Sequence, residues 1–353
     1  MNNHAPPEEL LSIAVHAPSG DNSQPWRFKI ADPVISIFNV PSADSTLYNF
    51  KQRGSYLAHG ALIENIAIAA SKMGYKAAIT PFPGTPECTA SIALDTSQPV
   101  EEPLYDFITA RTTNRKPYQI KGLSFKDRST LLHSIQGYAS VQLRFVEKRE
   151  EIRALSKTLS INERLLMENK NLHDFLFGMI RWSKREEEKK PGLYLKTMEL
   201  PVPVQIMFRL VLRYWGAVRL LNLFGLSKAI PKQSAAGYEA SSAFGAIIIS
   251  GETDTDFLQA GRTFQRMWLT ATRLKLSVQP VTAIPYLMQR VSAGKAEAFS
   301  IEHQSMIRSA YTDIAYAFDL QGSEHIAMLF RVGYDGEPSA RSSKVPPVIT
   351  QET

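Results

Sequence analysis

Two long predicted helices of the chain align with one another at a fixed distance. Leu57 to Met73 is apolar around most of its circumference, which is typical of a helix buried on several sides. The segment Asp256 to Leu274 repeats its pattern 201 residues later, since 258 − 57 = 201. The matched pairs are Leu57 with Leu258, Gly60 with Gly261, Ala70 with Ala271, Lys72 with Arg273 and Met73 with Leu274. Repetition at a constant offset indicates a degenerate duplication.

A second, weaker echo has the same order along the chain. Leu10 to Phe28 resembles Leu131 to Phe145, and each precedes one of the long helices. The segments Ala77 to Pro83 and Gln279 to Pro285, which follow the helices, are interpreted as corresponding loops. The sequence therefore predicts a first half over residues 1–100 and a second half over residues 101–353. The second half carries a helical insertion at about 148–237, a possible lid.

Charge and composition narrow the class of protein without choosing a ligand. The 353 residues carry 40 Lys and Arg against 34 Asp and Glu, a formal charge of +6. Such a balance suits a phosphorylated cofactor, nucleic acid or an acidic membrane surface. The single cysteine, Cys88, excludes an internal disulfide and favours a reducing compartment. Met1 to Leu10 lacks a signal-peptide pattern and no long uncharged apolar window exists, so a cytoplasmic location is expected.

Several common site types have no support in the sequence. The seven histidines are scattered without a metal-ligand spacing such as HxxxH. No GxSxG elbow or GxGxxG turn is present, which argues against a serine hydrolase and a Rossmann fold. Basic residues alternate with acids, which argues against nucleic-acid binding. No metal and no nucleic-acid partner is therefore expected, and a small molecule is the expected partner.

The loop from Ala17 to Trp26 joins a predicted helix to a predicted strand. Its backbone N–H groups and small polar side chains can bind flavin hydroxyls and phosphate, although an ordinary Asn-Ser turn is an equally good interpretation of the composition. The stretch resembles the APSxxNxQPW signature of the nitroreductase superfamily of FMN enzymes. The resemblance implies that the flavin is lined from the partner half by Pro18, Ser19, Gly20 and Asn22.

A basic turn begins at Arg111. Two guanidinium groups bracketing hydroxyls suit phosphate, although most such turns are simply solvated. The turn resembles the superfamily's RxSxR segment, which implies that Arg111 and Thr113 hold phosphate and ribityl groups. Arg115 would then lie nearer the N1–O2 edge of the flavin, and Thr112 joins the predicted cofactor contacts.

Two later patches complete the resemblance. Val281, Thr282 and Ala283 fall where the superfamily offers a backbone N–H to flavin N5. Arg341 and Lys344 correspond to a basic pair that closes over the phosphate, although they look like an exposed tail on their own. The other half's counterpart of the first loop is reduced to Gly137 to Ser140, which implies one complete flavin site per chain.

The resemblance implies an α+β fold with a mostly antiparallel sheet, long central helices and two half-copies forming an intrachain pseudo-dimer. It implies non-covalent FMN, reduced by hydride from NAD(P)H and reoxidised by an unidentified nitroaromatic, quinone or specific metabolite in a ping-pong cycle. The alternatives are a non-catalytic FMN storage protein or a flavin-modifying or azoline-oxidising enzyme. A monomer suffices if the chain is its own pseudo-dimer.

The stretch from Val202 to Leu226 mixes large apolar residues with Arg209, Arg213 and Arg219. A basic amphipathic helix can lie on a membrane, cover the flavin as a lid or pack on the core. We favour core packing, then a lid, and a membrane surface least. The charged run from Lys184 to Lys190 is interpreted as a solvated helix face.

Overall fold

The structure, a computed structural model, describes residues 6–138 and 140–351. Residues 1–5 of the N-terminal stretch and Ala139, inside the predicted loop Gly137 to Ser140, lie outside the described residues. In the described part the strands are β1 (Trp26–Ala31), β2 (Val34–Asn39), β3 (Tyr75–Pro81), β4 (Cys88–Thr96), β5 (Val141–Val146), β6 (Ile180–Arg181), β7 (Leu193–Tyr194), β8 (Ala243–Ile249), β9 (Ser277–Pro280), β10 (His325–Gly333) and β11 (Ile349–Gln351).

Helices separate these strands. They are α1 (Pro7–Ala14), α2 (Arg53–Lys72), α3 (Phe107–Ala110), α4 (Phe125–Ser134), α5 (Arg149–Leu159), α6 (Ile161–Glu168), α7 (Lys170–Met179), α8 (Lys184–Lys189), α9 (Val202–Met207), α10 (Trp215–Asn222), α11 (Leu226–Glu239), α12 (Asp254–Arg273), α13 (Ala283–Ser292) and α14 (Ile301–Ala317). A π-helical turn, Phe208–Leu212, continues α9. None of the helices in the described part is long and apolar enough to cross a membrane.

The two main sheets share one strand order. Apart from β11, which joins the first sheet parallel to β1 at its edge, the first runs β1-β2-β4-β3 and the second β5-β8-β10-β9, with antiparallel neighbours. Each begins after a helix, α1 or α4, and each sends its long helix, α2 or α12, between its second and third strands in sequence. The predicted α+β class with mostly antiparallel sheets and long central helices is confirmed. The order also matches the two echoes in the sequence.

The two segments interpreted as loops after the long helices lie mostly in regular strands and helices. Ala77 to Pro83 falls largely on β3, and Gln279 to Pro285 covers the end of β9 and the start of α13. Strand β3 alternates half-buried and exposed residues at the sheet edge, with small alanines among them. Its pattern is therefore weak, and the flanking prolines looked like turn signals.

The central helices α2 and α12 touch through their backbones at two glycines. A Cβ atom on Gly60 would lie 2.0 Å from the carbonyl oxygen of Leu258. A Cβ atom on Gly261 would lie 2.1 Å from the carbonyl oxygen of Leu57. Adding 201 to Gly60 and Leu57 gives Gly261 and Leu258, so each contact is the counterpart of the other. The two helices are therefore related by a local two-fold arrangement. Only glycine permits so close an approach.

Polar pairs beside the glycines follow the same relation. Glu64 Oε1 accepts a hydrogen bond from Arg266 Nε at 2.6 Å. The counterpart pair, by the same offset, is Gln265 Nε2 donating to Asn65 Oδ1 at 2.7 Å. Glu64 has no exposed surface, and Arg262 Nε at 3.1 Å also bonds it. The interface thus pairs the buried Glu64 carboxylate with cations from α12, while Gln265 Oε1 is buried without a hydrogen-bond partner among the described residues.

The end of the chain crosses to the first half. Strand β11 lies parallel to β1, with Phe28 opposite Ile349 and Lys29 opposite Thr350. The residues between β10 and β11 must therefore run from the second sheet to the first. This connection carries Arg341 and Lys344 past the loop before β1.

Gly60→Ala should destabilise the chain by about 1–3 kcal/mol, because its methyl group meets the backbone of α12. The free energy of unfolding in urea measures this. Gly216→Ala is the matched control, since Gly216 is also helical and a Cβ there has nothing within 4 Å. Equal stability of both variants would contradict backbone contact between the central helices.

Candidate functional site

Two adjoining cavities lie where the halves and the insertion meet. The larger, of about 350 Å³, is lined by α2 at Ala58 and Ala61 and by α12 at Phe264 and Trp268. The smaller, of about 200 Å³, lies among basic residues and shares Thr113 and Arg115 with the larger one, among other lining residues. One space is thus largely apolar, and it opens toward a cationic one.

All thirteen residues singled out in the sequence line these cavities. The larger cavity has Pro18, Ser19, Gly20, Thr113, Arg115, Val281, Thr282 and Ala283 in its walls. The smaller has Asn22, Arg111, Thr112, Arg341 and Lys344, together with Pro18, Ser19, Thr113 and Arg115. Four patches that are far apart in sequence therefore surround one site. Their role in binding stays a prediction.

The loop before β1 holds an unusual backbone. Asp21, Asn22 and Gln24 have φ values of 45°, 59° and 50°, in the left-handed region. Such residues persist only where the surroundings hold them. Here the Ser19 hydroxyl accepts a hydrogen bond from the Gln24 backbone N–H at 2.9 Å. The loop thus differs from an ordinary turn in having three non-glycine residues with left-handed backbone.

The C-terminal connection is bound directly to that loop. Asn22 Nδ2 donates to the Ser343 carbonyl at 2.9 Å, and Lys344 Nζ donates to Asn22 Oδ1 at 2.8 Å. Lys344 Nζ also bonds the Ala17 carbonyl at 2.8 Å, and Val345 N–H bonds Gln24 Oε1 at 3.1 Å. The two patches, predicted separately, form one structure.

The smaller cavity gathers buried cations. Arg111 is 8% exposed, and its Nη2 donates to the His16 carbonyl at 3.0 Å. Its guanidinium lies 4.4 Å from the centre of the Trp268 ring, while its Nε is buried without a partner among the described residues. Burial, and then the nearby charge of Arg341, lower the pKa of Arg111 to about 9.

Neighbouring cations are destabilised in the same way. Burial, followed by the charge of Arg111, lowers the pKa of Lys344 well below its usual value. Burial, then Lys344 and Arg111, lowers the pKa of His16. Cations that are desolvated and repel one another would be stabilised by a bound anion. The donor set of this cavity therefore fits a phosphate group.

One carboxylate stands behind the cationic segment. Glu187, on α8, is 2% exposed, accepts a hydrogen bond from the Ser343 backbone N–H and is bonded by Lys184 Nζ at 2.7 Å. The interpretation of Lys184 to Lys190 as a solvated face is therefore wrong at Glu187. The composition KREEEKK gave no sign that one of its acids holds a distant loop.

Asn114 fixes the basic turn, although it was not among the predicted site residues. Its Nδ2 donates to Ser277 Oγ at 3.0 Å, Asp335 Oδ2 at 3.1 Å and the Gly336 carbonyl at 2.8 Å. The turn is also bridged to β9 through Thr113 and Val278. Asn114 thus orients the residues on either side of it. Its place inside the motif was the available signal.

In the third patch, Val281 to Ala283, the structure shows which backbone N–H groups are already hydrogen-bonded within the protein. The Val281 N–H donates to the Leu329 carbonyl at 2.8 Å, and Thr282 Oγ1 donates to the same carbonyl at 2.9 Å. The Val281 N–H is therefore engaged by the sheet. The N–H groups of Thr282 and Ala283, at the start of α13, are the remaining candidates to face a ligand.

Two carboxyl groups at the larger cavity were missed. Burial raises the pKa of Asp21, and the charge of Arg115 opposes this rise. Burial, followed by the charge of Asp21, raises the pKa of Asp44 to about 6. Both residues line the cavity. Asp21 occupies a variable position of the loop signature, and Asp44 follows a separate strand, so no motif marks either one.

Proteins of Mycobacterium tuberculosis align with most of the chain. A protein of Mycobacterium tuberculosis named "Putative NAD(P)H nitroreductase MT3217" is 24% identical over 317 residues, which cover 85% of this chain and 83% of the relative. "Uncharacterized protein MT1398" of the same species is 25% identical over 280 residues, 78% of this chain and 39% of the relative. The chain thus matches well under half the length of the second relative.

The nitroreductase-named relative aligns along nearly its whole length, and the motifs that resemble the superfamily meet at one site. The chain is thus similar to a protein named as a nitroreductase. No family model matches it. Among solved structures, a nitroreductase with bound FMN from Bacteroides fragilis overlays with a TM-score of 0.37 at 10% identity, covering 69% of this chain and 95% of that one.

Asp44→Asn should change the pH dependence of stability. A carboxyl whose pKa is raised to about 6 in the folded state stabilises fully below its unfolded value near 3.8, and this contribution is lost as pH rises toward 6. At pH 8 the free energy of unfolding in urea should therefore be higher in the variant than in the wild type, by up to about 3 kcal/mol. At pH 4 the two proteins should have similar free energies of unfolding. Asp95→Asn, at an exposed position, is the control. A constant difference across pH would refute the assignment.

Proposed function

We propose that the chain is an FMN-dependent oxidoreductase that oxidises NAD(P)H and reduces a small-molecule acceptor at a single site built from both halves. The observation that carries the proposal is the pairing of an anion-seeking cavity with an apolar one. A flavin mononucleotide has the same division, a phosphate at one end and a flat apolar ring system at the other.

The cationic cavity would hold the phosphate. Arg111 presents a buried Nε without a hydrogen-bond partner among the described residues, and Lys344 is held in place by two oxygen atoms of the first half. Arg341 donates to the Ala110 carbonyl at 2.9 Å, which keeps it beside Arg111. An anion at this place would offset the mutual repulsion of the three cations.

The larger cavity would hold the ring system. On α2 the small side chains of Ala58 and Ala61 leave room in the cavity. On α12 the rings of Phe264 and Trp268 supply flat apolar surface. Arg115, whose Nη1 donates to the Thr197 carbonyl at 2.9 Å, stands where the two cavities join. A fixed cation at the ring would favour its reduced, anionic form.

Bound FMN supplies the redox chemistry, taking two electrons from NAD(P)H and passing them to the acceptor in separate half-reactions. The chain positions the partners and excludes water. Leu166, Phe175 and Leu176, from the helices between β5 and β8, lie in the cavity wall. This insertion therefore serves as the lid of the site. Asp21 and Asp44, with raised pKa values, are placed to hold a proton beside it.

The two halves, residues 1–100 and 101–353, act as a pseudo-dimer in this proposal. The first half gives the loop with Asn22, and the second gives the basic turn, the patch at Thr282 and the basic connection. A single chain therefore holds a whole site, so that a monomer is sufficient. The reverse pairing lacks a basic turn in the first half.

The test is the absorption spectrum of the purified chain, with released flavin measured per chain and NADPH or NADH then added without oxygen. We expect near one FMN per chain, bleached by at least one of the two nucleotides. Flavin that binds without bleaching would favour an FMN storage protein. Two flavins per chain would overturn the single site, and absence of flavin after reconstitution would overturn the function.

Arg111→Ala should weaken FMN binding by on the order of 1.5–3 kcal/mol, the scale of a charge-assisted hydrogen bond, or roughly 10- to 150-fold in Kd. Fluorescence quenching of added FMN measures this. Arg27→Ala is the matched control, because Arg27 pairs with Glu87 on the surface at 3.3 Å, away from the cavities. Wild-type affinity in Arg111→Ala would remove Arg111 from the site.

Asn22→Gly should also weaken FMN binding, although Asn22 lies in the other half. Glycine keeps the φ of 59° without strain but loses the hydrogen bonds to Ser343 and Lys344. We expect a loss of roughly 5- to 30-fold in Kd, from about 1–2 kcal/mol of hydrogen bonding. Unchanged binding, with normal binding in the surface control, would count against a composite site.

A further inference from the structure

The exposed apolar side chains are concentrated on one surface. Seven of the thirteen large apolar side chains that are more than half exposed in the described part of the chain lie between Val202 and Phe224. We call these seven the apolar face. They are Val202, Ile206, Leu210, Tyr214, Leu220, Leu223 and Phe224, with Leu223 81% and Phe224 83% exposed.

The apolar face belongs to a well-packed element. Its first four members recur every fourth residue, along one side of α9 and the π-helical turn. The opposite side is buried, with Phe208, Leu212 and Val218 packed against Met167 and Ile180. The preferred interpretation, a segment packed on the core, agrees with this inner side, while the outer side is left exposed. Exposure here is a property of a folded segment with two apolar sides.

The segment that carries the apolar face has charge of one sign. From Leu200 to Tyr238 the sequence contains no Asp or Glu but five basic residues. These are Arg209, Arg213, Arg219, Lys228 and Lys232, all exposed. No carboxylate in the described part of the chain forms an ion pair with them.

Aromatic side chains border the same surface. Arg209 Nη2 donates to the Trp182 carbonyl at 2.7 Å. The guanidinium groups of Arg209 and Arg213 lie 5.9 and 5.8 Å from the centre of the Trp182 ring. Tyr214 is itself part of the apolar face. Apolar residues with bordering cations and amphipathic aromatic rings are typical of segments that lie in the headgroup region of a membrane.

We propose that the apolar face and its basic rim dock the chain on an anionic lipid surface. The apolar side chains would enter the boundary between headgroups and acyl chains, and the cations would contact lipid phosphates. A second copy fits poorly, because a two-fold contact would place the basic rims against each other without carboxylates to pair them. The inference does not depend on the proposed function, since lipid binding is measured without turnover.

The test is flotation of the purified full chain with vesicles of phosphatidylcholine alone or mixed equally with phosphatidylglycerol, at low and high NaCl. We expect binding to the anionic vesicles, weakened by salt because the cations are screened, and little binding to the neutral ones. Absence of the chain from the anionic vesicles at low salt, or equal binding to both kinds, would overturn the proposal.

A paired substitution locates the surface. Leu223→Asp with Phe224→Asp should lower partition to anionic vesicles at least tenfold. Phe125→Asp with Ile301→Asp is the matched control, because both side chains are as exposed, at 86% and 87%, but lie elsewhere. We expect wild-type partition in the control. Equal loss in both pairs would overturn the assignment of the surface.

A charge variant separates lipid docking from self-association. Arg213→Gln with Arg219→Gln should lower binding to anionic vesicles several-fold and leave the thermal midpoint unchanged. Light scattering on the same proteins gives the oligomeric state. A dimer that dissociates in Leu223→Asp with Phe224→Asp, without vesicle binding in the wild type, would show an interface between copies instead.

Discussion

The contact of two helix backbones at Gly60 and Gly261 sets the geometry on which the rest of the structure depends. Each glycine removes the only side-chain atom that would separate its helix from the carbonyl of the other. The reciprocal contacts fix both the distance and the direction of α2 relative to α12. Because each helix is buried against its own sheet, the two sheets are fixed as well. The loop before β1 and the turn at Arg111 are thereby brought together, and Arg111 donates a hydrogen bond to the His16 carbonyl.

Burying several cations in the smaller cavity costs free energy. The oxygen atoms that bond Arg111 and Lys344 come from three residues. Burial lowers the pKa values of Arg111 and Lys344, so their charged forms are less favourable here than in water. The chain holds them with neutral oxygen atoms from Ala17, Asn22 and His16 instead of carboxylates. Carbonyl partners orient a cation without neutralising it, which leaves its charge available to an anion.

The sequence indicated the duplication, and its resemblance to the nitroreductase superfamily implied the fold class and the thirteen residues that line the cavities. It could do so because glycines, loop signatures and basic turns are local features with a fixed pattern. Glu187 and Asp44 were not predictable in this way, because their roles depend on contacts with segments that are distant in sequence. Likewise, periodicity showed that Val202 to Leu226 has an apolar side but not that a second apolar side faces outward.

The helix interface also shows how the two halves have diverged while keeping their geometry. At one position of the pair, Glu64 and Arg266 form a charged hydrogen bond, and at the equivalent position Gln265 and Asn65 form a neutral one of nearly the same length. The contact is conserved in shape, but its charge survives only once. The buried Glu64 needs Arg262 and Arg266 together, because a single buried carboxylate is costly without full pairing. The neutral pair needs no such support, which leaves the other side of the interface free of charge. The backbones of the two helices are thus symmetric while their side chains are not. In the same way, the two halves can share one fold although the cationic residues come from one half and the loop before β1 from the other.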